Sequence, residues 1–171
     1  MSNKIFEGGI EKAKIPYIVF ENILIAALLV LGYLGMKTIN IYRIPIVSLT
    51  YILFSFTMLI FFLRKHLCTH CYYYGKSCHC GWGHLSLKLF KKESGNQKSG
   101  GILAGITWGI IMILPIIVMV ILIIIKEVER KEKIIYLVPF VILTAINGFL
   151  HKVDCENCKM KYICPGSAAK K

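Results

Sequence analysis

Four long apolar stretches divide the chain, at residues 17–36, 44–63, 102–125 and 134–150, and Glu21 is their single charged residue. None of the stretches shows the strict alternation of apolar and polar residues that a barrel strand shows, so we predict helices throughout. A bilayer core about 30 Å thick needs roughly 20 apolar helical residues. Three stretches reach that length, and the fourth spans if its flanking Lys and His side chains extend toward the headgroups.

The rest of the chain is strongly polar, and this segregation excludes an ordinary soluble domain. The protein has 171 residues, and 56% of them are hydrophobic. It has 21 Lys and Arg and 9 Asp and Glu residues, and all of these charged residues except Glu21 lie outside the four stretches. A soluble protein of this size has no room to bury four such helices, and a disordered chain is much less hydrophobic. We therefore predict an all-α integral membrane protein built as a four-helix bundle.

The distribution of positive charge predicts how the bundle is oriented. Fifteen of the 21 Lys and Arg residues lie before the first stretch, between the second and third, or after the fourth, and six lie in the two opposite connections. By the positive-inside rule, we expect a multi-pass protein of the cell membrane with its N- and C-termini in the cytoplasm. The net charge of +12 then reflects contact with the lipid bilayer, and we expect no nucleic-acid partner. The predicted organisation is a cytoplasmic N-terminus (1–16), a first transmembrane hairpin (17–63), a cysteine-rich cytoplasmic loop and linker (64–101), a second transmembrane hairpin (102–150) and a cysteine-rich cytoplasmic tail (151–171).

All seven cysteines lie outside the apolar stretches, in the loop and in the tail. Because the second and fourth helices run in the same direction, both cysteine groups emerge on the same side of the bilayer and can meet. A C-x2-C spacing presents two thiolates to one tetrahedral centre, and it occurs once in each segment. We therefore predict a small cytoplasmic metal-binding knob. Its candidate ligands are Cys68, Cys71, Cys78, Cys80, Cys155, Cys158 and Cys164.

Four histidines and one carboxylate are possible additional ligands: His66, His70, His79, His151 and Glu21. Imidazoles at the membrane surface can complete a zinc sphere, although interfacial histidines without a ligand role are commoner. An ionisable side chain within a span is a candidate proton carrier or cation ligand. Glu21 lies only four residues into its stretch, so a carboxylate that reaches headgroup water explains it equally well.

The cysteines suit either zinc or an iron–sulfur cluster. The tail pattern C-x2-C-x5-C-P-G, at residues 155–166, resembles the auxiliary cluster-binding segment of some radical-SAM proteins and the cysteine tail of certain nucleases. It lacks the further cysteine expected shortly after Gly166, so a cluster would need a ligand from the loop. With CYYYG at residues 71–75, GWG at 81–83 and CPGS at 164–167, the chain as a whole resembles small four-span membrane proteins of prokaryotes, a resemblance that implies no activity.

The leading functional hypothesis is a membrane redox subunit that passes electrons between a cytoplasmic and a membrane partner. The alternatives are a structural, zinc-clamped interaction module, a soft-metal transporter or sensor, and a thiol–disulfide redox protein. The last is disfavoured because structural disulfides are rare in a reducing cytoplasm. The sequence shows no catalytic motif, so we do not predict an enzyme.

Three further features of the loop and tail follow from their composition. The flanking lysines Lys65, Lys76, Lys159 and Lys161 favour an anionic thiolate centre. The aromatic residues 72–74 with Trp82 predict a patch at the membrane interface. Residues 85–92 alternate leucines with lysines and predict a short helix on the lipid surface.

Overall fold

The computed structural model describes residues 5–39, 44–125 and 130–169, and within these ranges the protein is helical and has no strand. A π-helical turn (Met58–Phe62) joins the second and third helices, and a 3₁₀ turn (Cys68–His70) follows them. The all-α prediction is confirmed. The helices are α1 (Ile15–Met36), α2 (Ile46–Thr57), α3 (Leu63–His66), α4 (Trp82–Leu89), α5 (Gln97–Ile125) and α6 (Arg130–Glu156).

Four helical segments of the described chain are long and apolar enough to cross a membrane. Their surfaces carry large apolar side chains, such as Ile102 and Phe149, which are 68% and 67% exposed. Such a surface suits contact with lipid and not with water. The segments are Ile15–Met36, Ile46–His70, Gln97–Ile125 and Lys131–Glu156.

The first and fifth helices form the centre of the bundle, because α1 contacts α2, α5 and α6 while α5 also contacts α3 and α6. Tyr51 is buried in the core between α2 and α5, beside Ile111. Pro115 has no N–H for the carbonyl of Ile111, one turn earlier in α5. The Tyr51 hydroxyl donates to that carbonyl oxygen at 3.1 Å. A neighbouring helix thus satisfies the backbone group that the proline leaves free.

The N-terminal segment, the loop and the tail pack together at one end of the bundle, here called the cysteine end. Main-chain hydrogen bonds join the N-terminal segment to both of the others: Phe6 N donates to Lys159 O and Ala13 N to Ser77 O, each at 3.0 Å. The loop and the tail therefore lie on the same side, as the topology predicts. The participation of the N-terminal segment was not predicted from the sequence.

The predicted surface helix at residues 85–92 corresponds to α4, which begins three residues earlier, at Trp82. It packs against α3 and the 3₁₀ turn of the loop. Leu87 and Leu89 are 53% and 43% exposed on its outer face. One face of α4 therefore belongs to the folded cysteine end, while the other keeps the apolar side chains from which the sequence predicts lipid contact.

Candidate metal centre

Five cysteine side chains line one cavity of about 220 Å³ at the cysteine end, here called the cysteine pocket. The loop supplies four of them and the tail supplies the fifth, so segments more than 80 residues apart in sequence build one site. The side chains of His151 and Met160 complete its wall. The five are Cys68, Cys71, Cys78, Cys80 and Cys164.

The other two cysteines lie beside the pocket and do not line it. Cys155 Sγ is 3.7 Å from His151 Nε2, and Cys158 Sγ accepts a hydrogen bond from Met160 N at 3.3 Å. None of the seven cysteines forms a disulfide, and all seven are partly buried. Across the described ranges, no group of three or more His, Cys, Asp or Glu side chains has the arrangement that holds a single metal ion.

Two glycines of the GWG sequence shape the loop around the pocket. Gly81 has φ +70°, a left-handed conformation that favours glycine, and immediately precedes α4. A Cβ atom at Gly83 would clash with the carbonyl oxygens of Tyr73 and Lys76. The backbone can approach there only without a side chain, and Gly75 N donates to Gly83 O at 3.0 Å across the contact. The loop that carries four pocket cysteines is thereby held in a closed turn.

Tyr73 connects the three segments of the cysteine end. Its side chain is 1% exposed, its hydroxyl donates to Ile10 O at 2.5 Å, and it accepts from Lys159 N at 3.3 Å. The sequence predicts an aromatic patch of the three loop tyrosines at the membrane interface, and the structure buries one of them, Tyr73, within the protein. A buried hydroxyl between two backbone groups makes this residue a structural tie instead.

Burial makes the thiolate form of several of these cysteines unfavourable. It raises the pKa of Cys71 and Cys80 well above the ordinary range, and it raises the pKa of Cys158 to about 11. Neighbouring thiols raise the values further, because two thiolates repel each other. A cationic centre reverses this balance, since it binds the deprotonated form and releases the protons.

Arg64 is a buried cation beside the pocket that the sequence reasoning missed. It is 5% exposed, and its guanidinium lies 4.6 Å from the Trp82 ring centroid and within electrostatic range of the pocket thiols Cys68, Cys78 and Cys80. Nη1 is buried and has no hydrogen-bond partner among the described residues. The signal for this placement is its spacing, because a residue four positions before Cys68 lies on the same face of a helix.

The π-helical turn helps to hold Arg64 in place. Arg64 Nε donates at 3.1 Å to the carbonyl oxygen of Leu59, five residues earlier. A π-turn inserts an extra residue into the helix and re-aims the side chains that follow it, and such turns are frequent at functional sites. The turn ends at Phe62, two residues before Arg64.

Three of the lysines that the sequence associates with an anionic centre are engaged elsewhere. Lys159 Nζ lies 2.8 Å from Glu11 Oε1, and Lys76 Nζ lies 3.9 Å from the Tyr72 ring centroid. Lys161 contacts the aromatic rings of Phe6 and Tyr162. The buried positive charge at the pocket therefore comes from the arginine and not from these lysines.

The predicted histidine ligands have different neighbours. His66 Nδ1 accepts from Asn96 N at 3.0 Å, and His70 Nε2 lies 2.8 Å from Gly95 O, so both hold the linker that leads into α5. His151 lines the cysteine pocket, and its Nε2 lies 3.3 Å from the carbonyl oxygen of Gly166. Of the four imidazoles considered as additional ligands, His151 is the one in the pocket wall.

His79 and Glu21 belong to a separate polar network between α1, the loop and α6. Asp154 Oδ1 accepts from the Tyr17 hydroxyl at 2.7 Å and lies 3.0 Å from His79 Nδ1. Glu21 is 4% exposed, within electrostatic range of Cys80, and its Oε1 has no hydrogen-bond partner in the described part of the chain. Glu21 thus lies buried inside the bundle, next to the pocket.

Neither a family model, nor a curated protein, nor a solved structure matches the chain. The structure itself therefore defines the class of protein. It is a helical protein with four membrane-length helices and, at one end, a cavity lined by thiols from two distant segments.

Proposed function

We propose that this protein is a membrane redox subunit whose cysteine pocket binds an iron–sulfur cluster. The observation that carries the proposal is that five sulfurs from the loop and the tail surround one cavity. Iron–sulfur clusters take four cysteine thiolates, so the pocket offers enough ligands from its own wall. Its volume of about 220 Å³ is several times the roughly 30 Å³ share of one water molecule, and it has room for a group of several atoms.

The charge beside the pocket supports an anionic occupant. Four thiolates around a cluster leave a net negative charge. Arg64 is a buried cation beside the pocket, and its Nη1 has no hydrogen-bond partner in the described part of the chain. A buried guanidinium with an unsatisfied N–H is costly, and an anionic centre within its range offsets that cost. The same charge raises the reduction potential of a cluster, because it favours the more negative, reduced state.

The location of the pocket gives the proposed centre its role. We place the bundle in the cell membrane with the cysteine end in the cytoplasm, as the distribution of Lys and Arg favours. A reducing compartment keeps the thiols available as ligands. A cluster at this position accepts electrons from a water-soluble partner and passes them toward the bilayer.

A structural zinc site is the second candidate, and the joining of three segments at the cysteine end favours it. A zinc ion binds four sulfurs at about 2.3 Å and would fasten the loop to the tail. Zinc binding would require the pocket walls to close on one ion. The protein would then be an interaction module and not an electron carrier.

Anaerobic purification in detergent, followed by measurement of iron, acid-labile sulfide and zinc, tests the proposal. We expect iron and sulfide in equal amounts and a visible absorbance that bleaches on reduction. The double variant Cys68→Ser/Cys71→Ser leaves three pocket cysteines, one fewer than a cluster needs, and should lower the iron content several-fold. Cys155→Ser/Cys158→Ser is the matched control, because neither residue lines the pocket, and it should retain the iron.

Two results would contradict the cluster. One zinc per chain without sulfide would support the structural clamp. Equal iron retention by the Cys68→Ser/Cys71→Ser and Cys155→Ser/Cys158→Ser variants would show that the pocket is not the binding site.

A further inference from the structure

A second cavity, of about 490 Å³, lies between α5 and α6 near the cysteine end and is here called the α5–α6 groove. Gly105 and Trp108 line it from α5, Asn147 and His151 from α6, and residues 165–168 of the tail close one side. Its volume is typical of small-molecule sites, as is its mainly apolar wall with few polar groups. The redox proposal above leaves this groove unassigned.

The groove and the cysteine pocket share part of their walls. Ala104, Trp108, His151 and Gly166 line both cavities. An occupant of the groove is therefore separated from the pocket by single side chains. A redox-active occupant at this place is an immediate neighbour of the proposed cluster.

Asn147 gives the groove a specific polar requirement. It is 6% exposed, it lines the groove, and its amide makes no hydrogen bond to any other described residue. The amide is not fully enclosed by protein, so its two N–H donors are accessible from the groove and can meet an acceptor there, such as a carbonyl oxygen. None of the described lining residues is Lys, Arg, Asp or Glu. The titratable side chain among them, His151, already has partners in Cys155 Sγ and Gly166 O, so the groove suits a neutral occupant and not a phosphate or carboxylate.

The groove opens toward the apolar surface of the bundle. Ile102 and Ile106, on the neighbouring turns of α5, are 68% and 50% exposed. Gly105 and Gly148 leave open space, since a Cβ atom at either position would have no neighbour within 4 Å. A hydrophobic molecule can therefore enter from the lipid.

We propose that the α5–α6 groove binds the ring of a membrane quinone, which accepts electrons from the cluster in the cysteine pocket. The flat ring packs beside Trp108, and one ring carbonyl accepts from the amide of Asn147. A lipid acyl chain meets only the requirement for an apolar entrance and leaves the amide unpartnered. The electron-transfer step rests on the proposed cluster, whereas quinone binding does not.

The proposed reaction balances with named partners. A reduced cluster gives one electron at a time, so two one-electron oxidations of the cluster supply two electrons to one quinone. The two quinone oxygens take up two protons and become the hydroxyls of a quinol. A water-soluble one-electron carrier of the ferredoxin class reduces the cluster again after each transfer.

Quenching of tryptophan fluorescence tests the binding step without any cluster. The chain has two tryptophans, so Trp82→Phe leaves Trp108 as the reporter within the groove. We combine this variant with Cys68→Ser and Cys71→Ser, which together leave too few pocket cysteines for a cluster, and titrate it with 2,3-dimethyl-1,4-naphthoquinone in lipid nanodiscs. We expect saturable quenching. Quenching that increases linearly without saturation would overturn the proposal. Quenching that disappears when phospholipid is added would overturn it as well, because a lipid would then occupy the groove as readily as the quinone.

Substitutions at open glycines locate the binding. Gly105→Leu fills the groove and should weaken the apparent affinity at least tenfold. Gly109→Leu adds the same side chain one turn along α5, where it also meets open space but does not line the groove, and should leave the affinity unchanged. Asn147→Leu, which keeps the volume and removes the amide, should weaken binding at least fivefold. Equal affinity in the Gly105→Leu and Gly109→Leu proteins would refute the site.

The cluster-loaded protein tests the electron-transfer step. After anaerobic reduction, one equivalent of quinone should reoxidise two clusters, and Gly105→Leu should slow that reoxidation at least tenfold. Reoxidation at an unchanged rate in this variant would overturn the electron-transfer step. A chain that binds no iron but still shows saturable, Gly105-dependent quenching would refute the proposed cluster and leave the quinone site standing.

Discussion

Replacing Tyr73 with phenylalanine removes one oxygen atom from the centre of the cysteine end. Its hydroxyl holds Ile10 O at 2.5 Å and Lys159 N at 3.3 Å, and its side chain is 1% exposed. The ring stays the same size, so the substitution leaves packing intact and breaks only the two hydrogen bonds. The loop, the N-terminal segment and the tail then lose their common contact.

The expected destabilisation follows from these two hydrogen bonds. Each intramolecular hydrogen bond contributes about 1 kcal/mol, and the longer bond to Lys159 contributes less than the shorter one to Ile10. A backbone group left without a partner in a buried site adds to the cost. We therefore expect Tyr73→Phe to lower the free energy of unfolding by about 2 kcal/mol. For a chain of this size, this corresponds to a decrease in Tm of about 4–8 °C.

Two measurements on the metal-free protein in detergent check this expectation. Thermal unfolding monitored by circular dichroism gives the change in Tm. The rate of maleimide labelling at Cys158, read by mass spectrometry of the peptide that contains it, reports the exposure of that residue, whose burial raises its pKa to about 11 and suppresses its reactivity. Tyr73→Phe should increase that rate several-fold by loosening the tail from the loop.

Tyr72→Phe is the matched control, because the neighbouring hydroxyl donates to Glu11 at the exposed surface. An exposed hydrogen bond contributes little, so this variant should lower the Tm by about 2 °C or less. If the two variants have the same Tm and the same labelling rate, Tyr73 does not connect the three segments, and the account of the cysteine end is wrong.

Three further predictions concern the same end of the bundle. Gly83→Ala should destabilise the protein by about 1–3 kcal/mol in chemical unfolding, because its Cβ clashes with backbone oxygens, whereas Gly109→Ala should not, because it meets open space. The pKa of the Glu11 carboxyl lies below its ordinary value because Lys159 donates to it, so the pair stabilises the fold above about pH 4.5. That contribution should disappear as the pH falls through the lowered pKa, and Glu11→Gln should flatten this part of the pH–stability curve. In a redox titration, Arg64→Met should lower the midpoint potential of the bound cluster by on the order of 60 mV, which is a tenfold change in a one-electron equilibrium. An unchanged potential would show that the Arg64 charge does not act on the cluster.

The sequence by itself determines the four long helices and the placement of both cysteine groups at the same end of the bundle. A stretch of about 20 apolar residues that do not alternate with polar ones forms a helix of membrane length. This pattern lies within one segment of the chain, so it does not depend on which segments pack against it. The direction of each successive helix then places the loop and the tail at the same end. Both predictions depend only on the order and lengths of the segments.

Only the tertiary structure decided which groups meet at that end. The burial of Tyr73 depends on Ile10, 63 residues earlier, and on Lys159, 86 residues later. The placement of Arg64 depends on a π-turn that the apolar pattern does not reveal. The division of seven cysteines into five that line the pocket and two beside it, and the burial of Glu21, depend on how the helices rotate about their axes. Such contacts arise from packing between distant segments, and a periodic pattern within one segment does not encode them.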